Sequence, residues 1–186
     1  MNGPDTFGYV LERLRTSRIP HMLAGSFAST YHGTPRTTQD IDIVIDPTAS
    51  TLRDFVASLP RDAFYVDLDA AVDALTRRTQ FNVIDVRTGW KVDLIIRKDR
   101  PFSVEEFRRR RPATILGHAV DVASAEDTIV AKLEWARLGE SDRQVRDVAG
   151  IVRVLGSSLD LPYVERWVGE LGLSDLWQVA LRAATD

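Results

Sequence analysis

The chain has 186 residues, 44% of them hydrophobic and 27% charged, with a formal net charge of −3. That is the composition of an ordinary globular protein with its own core, and it does not advertise a nucleic-acid binder. There is no cysteine, which excludes disulfides, thiolate nucleophiles and cysteine-ligated zinc.

In chain order, Met1-Asn2-Gly3-Pro4-Asp5 lacks the basic and apolar regions of a signal peptide. No apolar run is long enough to span a bilayer, so a cytoplasmic protein with no membrane partner is expected. Residues 5–18 carry Phe7, Val10, Leu11 and Leu14 at helical spacing, and Ile19-Pro20 stops that helix. Met22 to Ala24 reads as a short buried strand, Gly25-Ser26 as a tight turn with Ser26 at a helix N-cap, and Phe27 to His32 as the helix. Gly33-Thr34-Pro35 ends it. Gly25 lets backbone approach a ligand closely, and the free amides and dipole of a helix N-terminus favour phosphate. Capping alone explains a Gly-Ser equally well. His32, beside Gly33, reads as a helix-end residue before a catalytic one.

The run Gln39-Asp40-Ile41-Asp42-Ile43-Val44-Ile45-Asp46 alternates polar and apolar residues, the period of a strand with one buried face. Alternation sends Asp40 and Asp42 to the same side, where two like charges repel unless a cation joins them. Hard oxygen donors at this spacing suit Mg²⁺ or Mn²⁺. A strand whose polar face only meets water produces the same pattern. Arg36 and Thr38, just upstream, suit either contact with a phosphate or ordering of the turn.

Pro47 and Thr48 lead into a helix through Phe55 and Val56 to Leu59-Pro60, Phe64 to Val66 is a short strand, and Ala70 to Thr76 is helical. Residues 81–86 and 90–96 form a hairpin turning at Thr88-Gly89. Within its second strand Asp93 interrupts Lys91-Val92-Asp93-Leu94-Ile95-Ile96, an expensive place for a carboxylate without a cation. Asp46 and Asp85 read as structural or solvated. A helix near Val104 to Arg110 carries the cluster Arg108, Arg109, Arg110 and Arg111, which suits an RNA backbone. Glu105 and Glu106 precede it, so a self-neutralising face fits too. Strands around Thr114 and Val120 follow, and then helices over 125–138, 141–155, 162–171 and 174–184. Trp90, Trp135, Trp167 and Trp177 read as packing residues.

Gly25-Ser26, then Arg36-x-Thr38-x-Asp40-Ile41-Asp42, then a later strand bearing Asp93, together resemble the signature of the DNA polymerase β-like nucleotidyltransferase superfamily over about residues 20–96. Lys132 on one helix and the Arg143-x-x-x-Asp147 spacing on the next resemble the abortive-infection (type IV toxin) nucleotidyltransferases. The resemblance implies an α+β fold: a small mixed sheet with helices on one side and a C-terminal helical bundle. Residues 1–123 would be the catalytic core and 124–186 the helical region. It also implies transfer of a nucleoside monophosphate from an NTP to an acceptor hydroxyl, with Mg²⁺ or Mn²⁺ on Asp40, Asp42 and Asp93. Asp93 would also help take the acceptor's proton. Gly25, Ser26, Arg36, Thr38 and Lys132 would meet the nucleotide, supported by Arg143 and Asp147, which share a helix face and would pair. The implied acceptors are tRNA or protein, with a cognate antitoxin as the implied partner. Antibiotic nucleotidyltransferases share the Arg-x-x-x-Asp-x-Asp turn and are the first alternative. A nucleotide-binding or toxin–antitoxin module without turnover is the second.

Overall fold

The computed structural model describes residues 5–38, 40–139 and 141–185. Gln39 and residues 1–4, which entered the sequence reading, lie outside them. Two compact units divide the chain: Met1–Leu23 with Thr38–Val122, and Ala24–Thr37 with Ala123–Asp186. The segment 24–37 therefore goes with the helical unit and not with the strands that flank it in sequence.

The first unit is built on a seven-stranded mixed sheet in the order β3-β4-β5-β2-β1-β7-β6. Its strands are β1 (His21–Leu23), β2 (Asp40–Ile45), β3 (Phe64–Tyr65), β4 (Gln80–Asp85), β5 (Lys91–Ile96), β6 (Arg111–Ile115) and β7 (His118–Val122). Its helices are α1 (Thr6–Thr16), α3 (Ala49–Ala57), α4 (Leu68–Arg77) and α5 (Pro101–Arg109). The expected hairpin is present: β4 and β5 pair antiparallel, and Gly89 takes φ +74 in the turn, a conformation cheap only for glycine. Strand β2 pairs parallel with β5, Ile41 opposite Val92, Ile43 opposite Leu94 and Ile45 opposite Ile96. All six side chains are buried, at roughly 1.5–3 kcal/mol each relative to exposure. That apolar face locks the register, because a slip of one residue would turn it to the other side of the sheet.

Local chemistry starts the helices where it can. Asp5 caps α1 by accepting from the Gly8 amide, Asp67 caps α4, and Thr48 forms a reciprocal capping box with Thr51 at α3. Asp46 and Asp85 are structural, as read. Asp46 pairs with Arg97 at 3.0 Å, and fully buried Asp85 accepts from the Thr6 hydroxyl at 2.7 Å.

The second unit contains α2 (Gly25–His32), α6 (Ala125–Gly139), α7 (Asp142–Leu155), α8 (Leu161–Glu170) and α9 (Ser174–Thr185). One expectation is corrected here. Ser26 is not the N-cap of α2; Ala24 is, without a side-chain cap, and Ser26 lies in the first turn. Gly25 at φ +57 lets the chain turn into the helix before the serine is reached, and the Ser26 hydroxyl is taken by Arg36 Nη2. Gly33 ends α2 through a close approach: a Cβ there would lie 2.8 Å from the Ile151 amide nitrogen of α7. His32 Nε2 lies 2.7 Å from the Ala123 carbonyl, a fixed helix-end role. Trp167 and Trp177 are core residues. Trp135 departs from the packing expectation, being 50% exposed. No helix among the described residues is long and apolar enough to cross a membrane.

Candidate active site

In the sheet unit, parallel pairing sets Asp42 directly opposite Asp93 and Asp40 directly opposite Lys91. Because side chains alternate along a strand, these four form one polar row on the face opposite the isoleucines. Asn82 of β4 continues it beside Asp93. The row grades inward: the Asp40 side chain is 57% exposed, Asp42 is half-buried, and Asp93 is 7% exposed. Thr38 orders the entry to β2. Its hydroxyl accepts from the Asp40 amide at 3.3 Å and lies 3.2 Å from the Asp40 carbonyl.

Lys91 is the cation of this row. Its Nζ lies 3.0 Å from Asp93 Oδ2 and 3.6 Å from Asp40 Oδ1. The hydrogen bond to Asp93 is the main reason its pKa is raised; partial burial opposes this, and the charges of Asp93 and Asp40 reinforce it. The other Asp93 oxygen, Oδ1, is buried and has no hydrogen-bond partner among the described residues. A buried carboxylate left half-satisfied is costly.

Among the described residues no three acidic, histidine or cysteine side chains are gathered closely enough to cage a metal as they stand. The donor set nonetheless fits a hard divalent cation. It offers carboxylate oxygens, a buried oxygen lacking a partner, and enough negative charge to hold an ammonium between two acids.

The helical unit holds a second polar cluster, centred on Asp147 of α7. Arg36 Nε meets Asp147 Oδ1 at 2.9 Å and Oδ2 at 3.1 Å, and its Nη2 reaches Oδ2 at 3.1 Å. Lys132 of α6, 4% exposed, donates to Asp147 Oδ2 at 2.6 Å and to Gln144 Oε1 at 2.9 Å. The Ser29 hydroxyl donates to the same Oδ2 at 3.4 Å. Burial by itself would raise the Asp147 pKa; the bonds from Arg36 and Lys132 outweigh it and hold the carboxyl below its ordinary value. The expected Arg143–Asp147 pair is therefore replaced. Asp147 turns inward to two cations from other segments, while Arg143 is exposed.

No family model matches the sequence, and no curated protein matches it. Solved structures do. The antibiotic-resistance factor ANT(2'')-Ia in solution aligns over 95% of this chain and 94% of its own, at 15% identity and TM-score 0.54. Its crystal form with adenylyl-2''-tobramycin aligns over 87% and 94%, at 14% identity and TM-score 0.56. A nucleotidyltransferase-like protein of Paracoccidioides brasiliensis aligns over 95% and 90%, at 18% identity and TM-score 0.52. This is the nucleotidyltransferase fold.

Lys91 and Gln144 carry no role in the sequence reading, and neither do Asn82 and Ser29. Lys91 stands two residues before Asp93, which on a strand means the same face, and Gln144 stands three before Asp147, which on a helix means neighbouring positions. Both signals were available from spacing. The arginine cluster is self-neutralised in part: Arg108 pairs with Glu105 at 2.7 Å and Arg110 with Asp121 at 3.1 Å, and Arg110 also lies over the Phe107 ring.

Proposed function

We propose that this chain is a divalent-metal-dependent nucleotidyltransferase that moves a nucleoside monophosphate from an NTP to an acceptor hydroxyl. One observation carries the reading: Asp42 and Asp93 face each other across adjacent strands with Asp40 in the same row, and a buried oxygen of Asp93 lacks a partner. Asp40, Asp42 and Asp93 would hold Mg²⁺ or Mn²⁺, which when bound neutralises phosphate charge and polarises the phosphoryl group under attack. Asp93 accepts the proton of the acceptor hydroxyl as its oxygen bonds to the α-phosphorus. The bond from that phosphorus to the bridging oxygen breaks, and pyrophosphate leaves.

Nucleotide binding is assigned in this proposal to Gly25, Ser26, Arg36, Thr38 and Lys132. Asp147 and Gln144 supply the orientation of the two cations. Arg143 is left out of that supporting role because it is exposed and Asp147 is taken by Arg36 and Lys132. The acceptor class proposed first is a tRNA or protein hydroxyl, with toxin-like activity and a cognate antitoxin. A second reading, an antibiotic hydroxyl, is favoured by the likeness in fold to ANT(2'')-Ia, solved with adenylyl-2''-tobramycin.

Each radiolabelled NTP is incubated with Mg²⁺ and, separately, total tRNA, a protein pool and an aminoglycoside–lincosamide panel. Label entering one pool with wild type and vanishing with Asp93→Asn, which keeps the fold, is the expected result. Equal labelling by Asp93→Asn removes Asp93 from the chemistry. No labelling of any pool by wild type favours a binding module without turnover.

A further inference from the structure

A cleft of about 430 Å³ in the sheet unit is lined by Arg15, Arg18, His21 and Arg110 among others. Arg110 there pairs with Asp121, and Arg15 with Glu12 and the Ala119 carbonyl.

Asp93 is buried, satisfied on one oxygen by Lys91 and on the other by nothing among the described residues. Lys91 also reaches Asp40, so a single ammonium leans on two of the three acids assigned to the metal. Its side chain is 35% exposed, and a lysine is a point charge on a flexible four-carbon stem with a route to water. An ammonium within hydrogen-bond distance of Asp93 and a divalent cation on the same carboxylates repel one another strongly at such separation. They compete for the charge of the same carboxylates. A displaced ammonium needs a new anion, and a triphosphate arriving with the metal is one.

We propose that Lys91 is a resident counter-ion of the carboxylate row, displaced by the divalent metal and then taken up by the nucleotide's phosphates. It makes metal binding weak in the absence of NTP and couples the two. This inference rests on the nucleotidyltransferase reading of the same row. Lys91 is thus a positioning residue: it holds Asp93 and Asp40 poised without metal, and it makes entry of metal and nucleotide cooperative. Reciprocal coupling of this kind typically amounts to about 5–150-fold in affinity.

The test is Mn²⁺ titration of the full chain followed by electron paramagnetic resonance, with and without a non-hydrolysable NTP analogue. The variants are Lys91→Met, Lys91→Gln, Lys91→Arg and Asp42→Asn. Lys91→Met should bind Mn²⁺ alone at least about fivefold tighter than wild type, the low end of that coupling range. It should also lose most of the analogue's enhancement of Mn²⁺ binding. Lys91→Arg, which keeps the charge, should stay near wild type. Should Lys91→Met fail to fold, Lys91→Gln reads the same quantity with a polar side chain in place. Unchanged or weaker Mn²⁺ binding by the neutral variants, with Asp42→Asn abolishing it, overturns the counter-ion role and leaves the metal site standing. If Asp42→Asn and the neutral variants all bind like wild type, the metal-site reading falls with it.

Discussion

The two polar clusters of this chain are opposites in charge balance. In the helical unit one carboxylate, Asp147, takes two cations, Arg36 and Lys132, with Gln144 and Ser29 completing the hydrogen bonds. In the sheet unit Asp40, Asp42 and Asp93 share a row with one lysine, and a buried oxygen is left over. A buried carboxylate with both oxygens hydrogen-bonded is what a stable interior requires. A buried carboxylate oxygen without a partner, as on Asp93, costs stability by itself and is relieved by a cation. Two groups of similar residues thus differ in how far their carboxylate oxygens are satisfied within their own unit.

The comparison breaks first if the acidic row proves dispensable. Asp42→Asn is expected to lower nucleotidyl transfer by at least roughly 10²–10³-fold, the scale of losing a group that stabilises developing charge. Its melting temperature should hold or rise, because like-charge repulsion is relieved. Assaying transfer and thermal unfolding on one preparation checks both halves, and full activity in that variant would end the catalytic reading.

Asp147 should behave in the reverse way. Removing it as Asp147→Ala strands two cations in a mostly buried setting and should cost about 3–5 kcal/mol, read by urea unfolding. Its lowered pKa adds a pH dependence. The stabilisation is present above the ordinary carboxyl value of about 4. It is lost as pH falls through the lower folded value, where the native state must take up the proton. Acid unfolding curves of Asp147→Asn should therefore be flatter than wild type below about pH 4.

Lys132→Ala is a milder form of the same test. Asp147 retains Arg36, so a loss of about 1–3 kcal/mol is expected, that of one charge-assisted hydrogen bond. Lys132→Arg should rescue it only partly, a planar fork replacing a point charge. Measuring NTP affinity on the folded variant separates the two jobs assigned to this lysine: weaker binding supports phosphate contact, and unchanged affinity makes it purely structural. The smallest effect belongs to Arg143→Ala, within about 0.5 kcal/mol by denaturant titration, as for an exposed residue away from any network.

Much of the architecture was legible because periodicity and punctuation agree. Residues 40–43 alternate within a strand, Thr88-Gly89 turns a hairpin, and the four C-terminal helices α6 to α9 fall within a residue of their expected spans. The misreadings share a cause, which is that side-chain direction was inferred from neighbours in sequence. Ser26 looked like a cap because it follows a glycine, yet the glycine's own positive φ began the helix earlier. Arg143 looked like the partner of Asp147 because they lie one turn apart, but burial rotates Asp147 toward Arg36, 111 residues away.

What the sequence determined by itself was the set of carboxylates and their side of each strand, since a strand's two-residue period leaves no other choice. Which strand lies beside which was decided only in three dimensions. Nothing in residues 40–45 or 91–96 read alone says that they run parallel, or that Asp42 falls opposite Asp93 and Asp40 opposite Lys91. That register follows from burying Ile41, Ile43 and Ile45 against Val92, Leu94 and Ile96. The apolar face thereby sets the spacing of charges on the polar one.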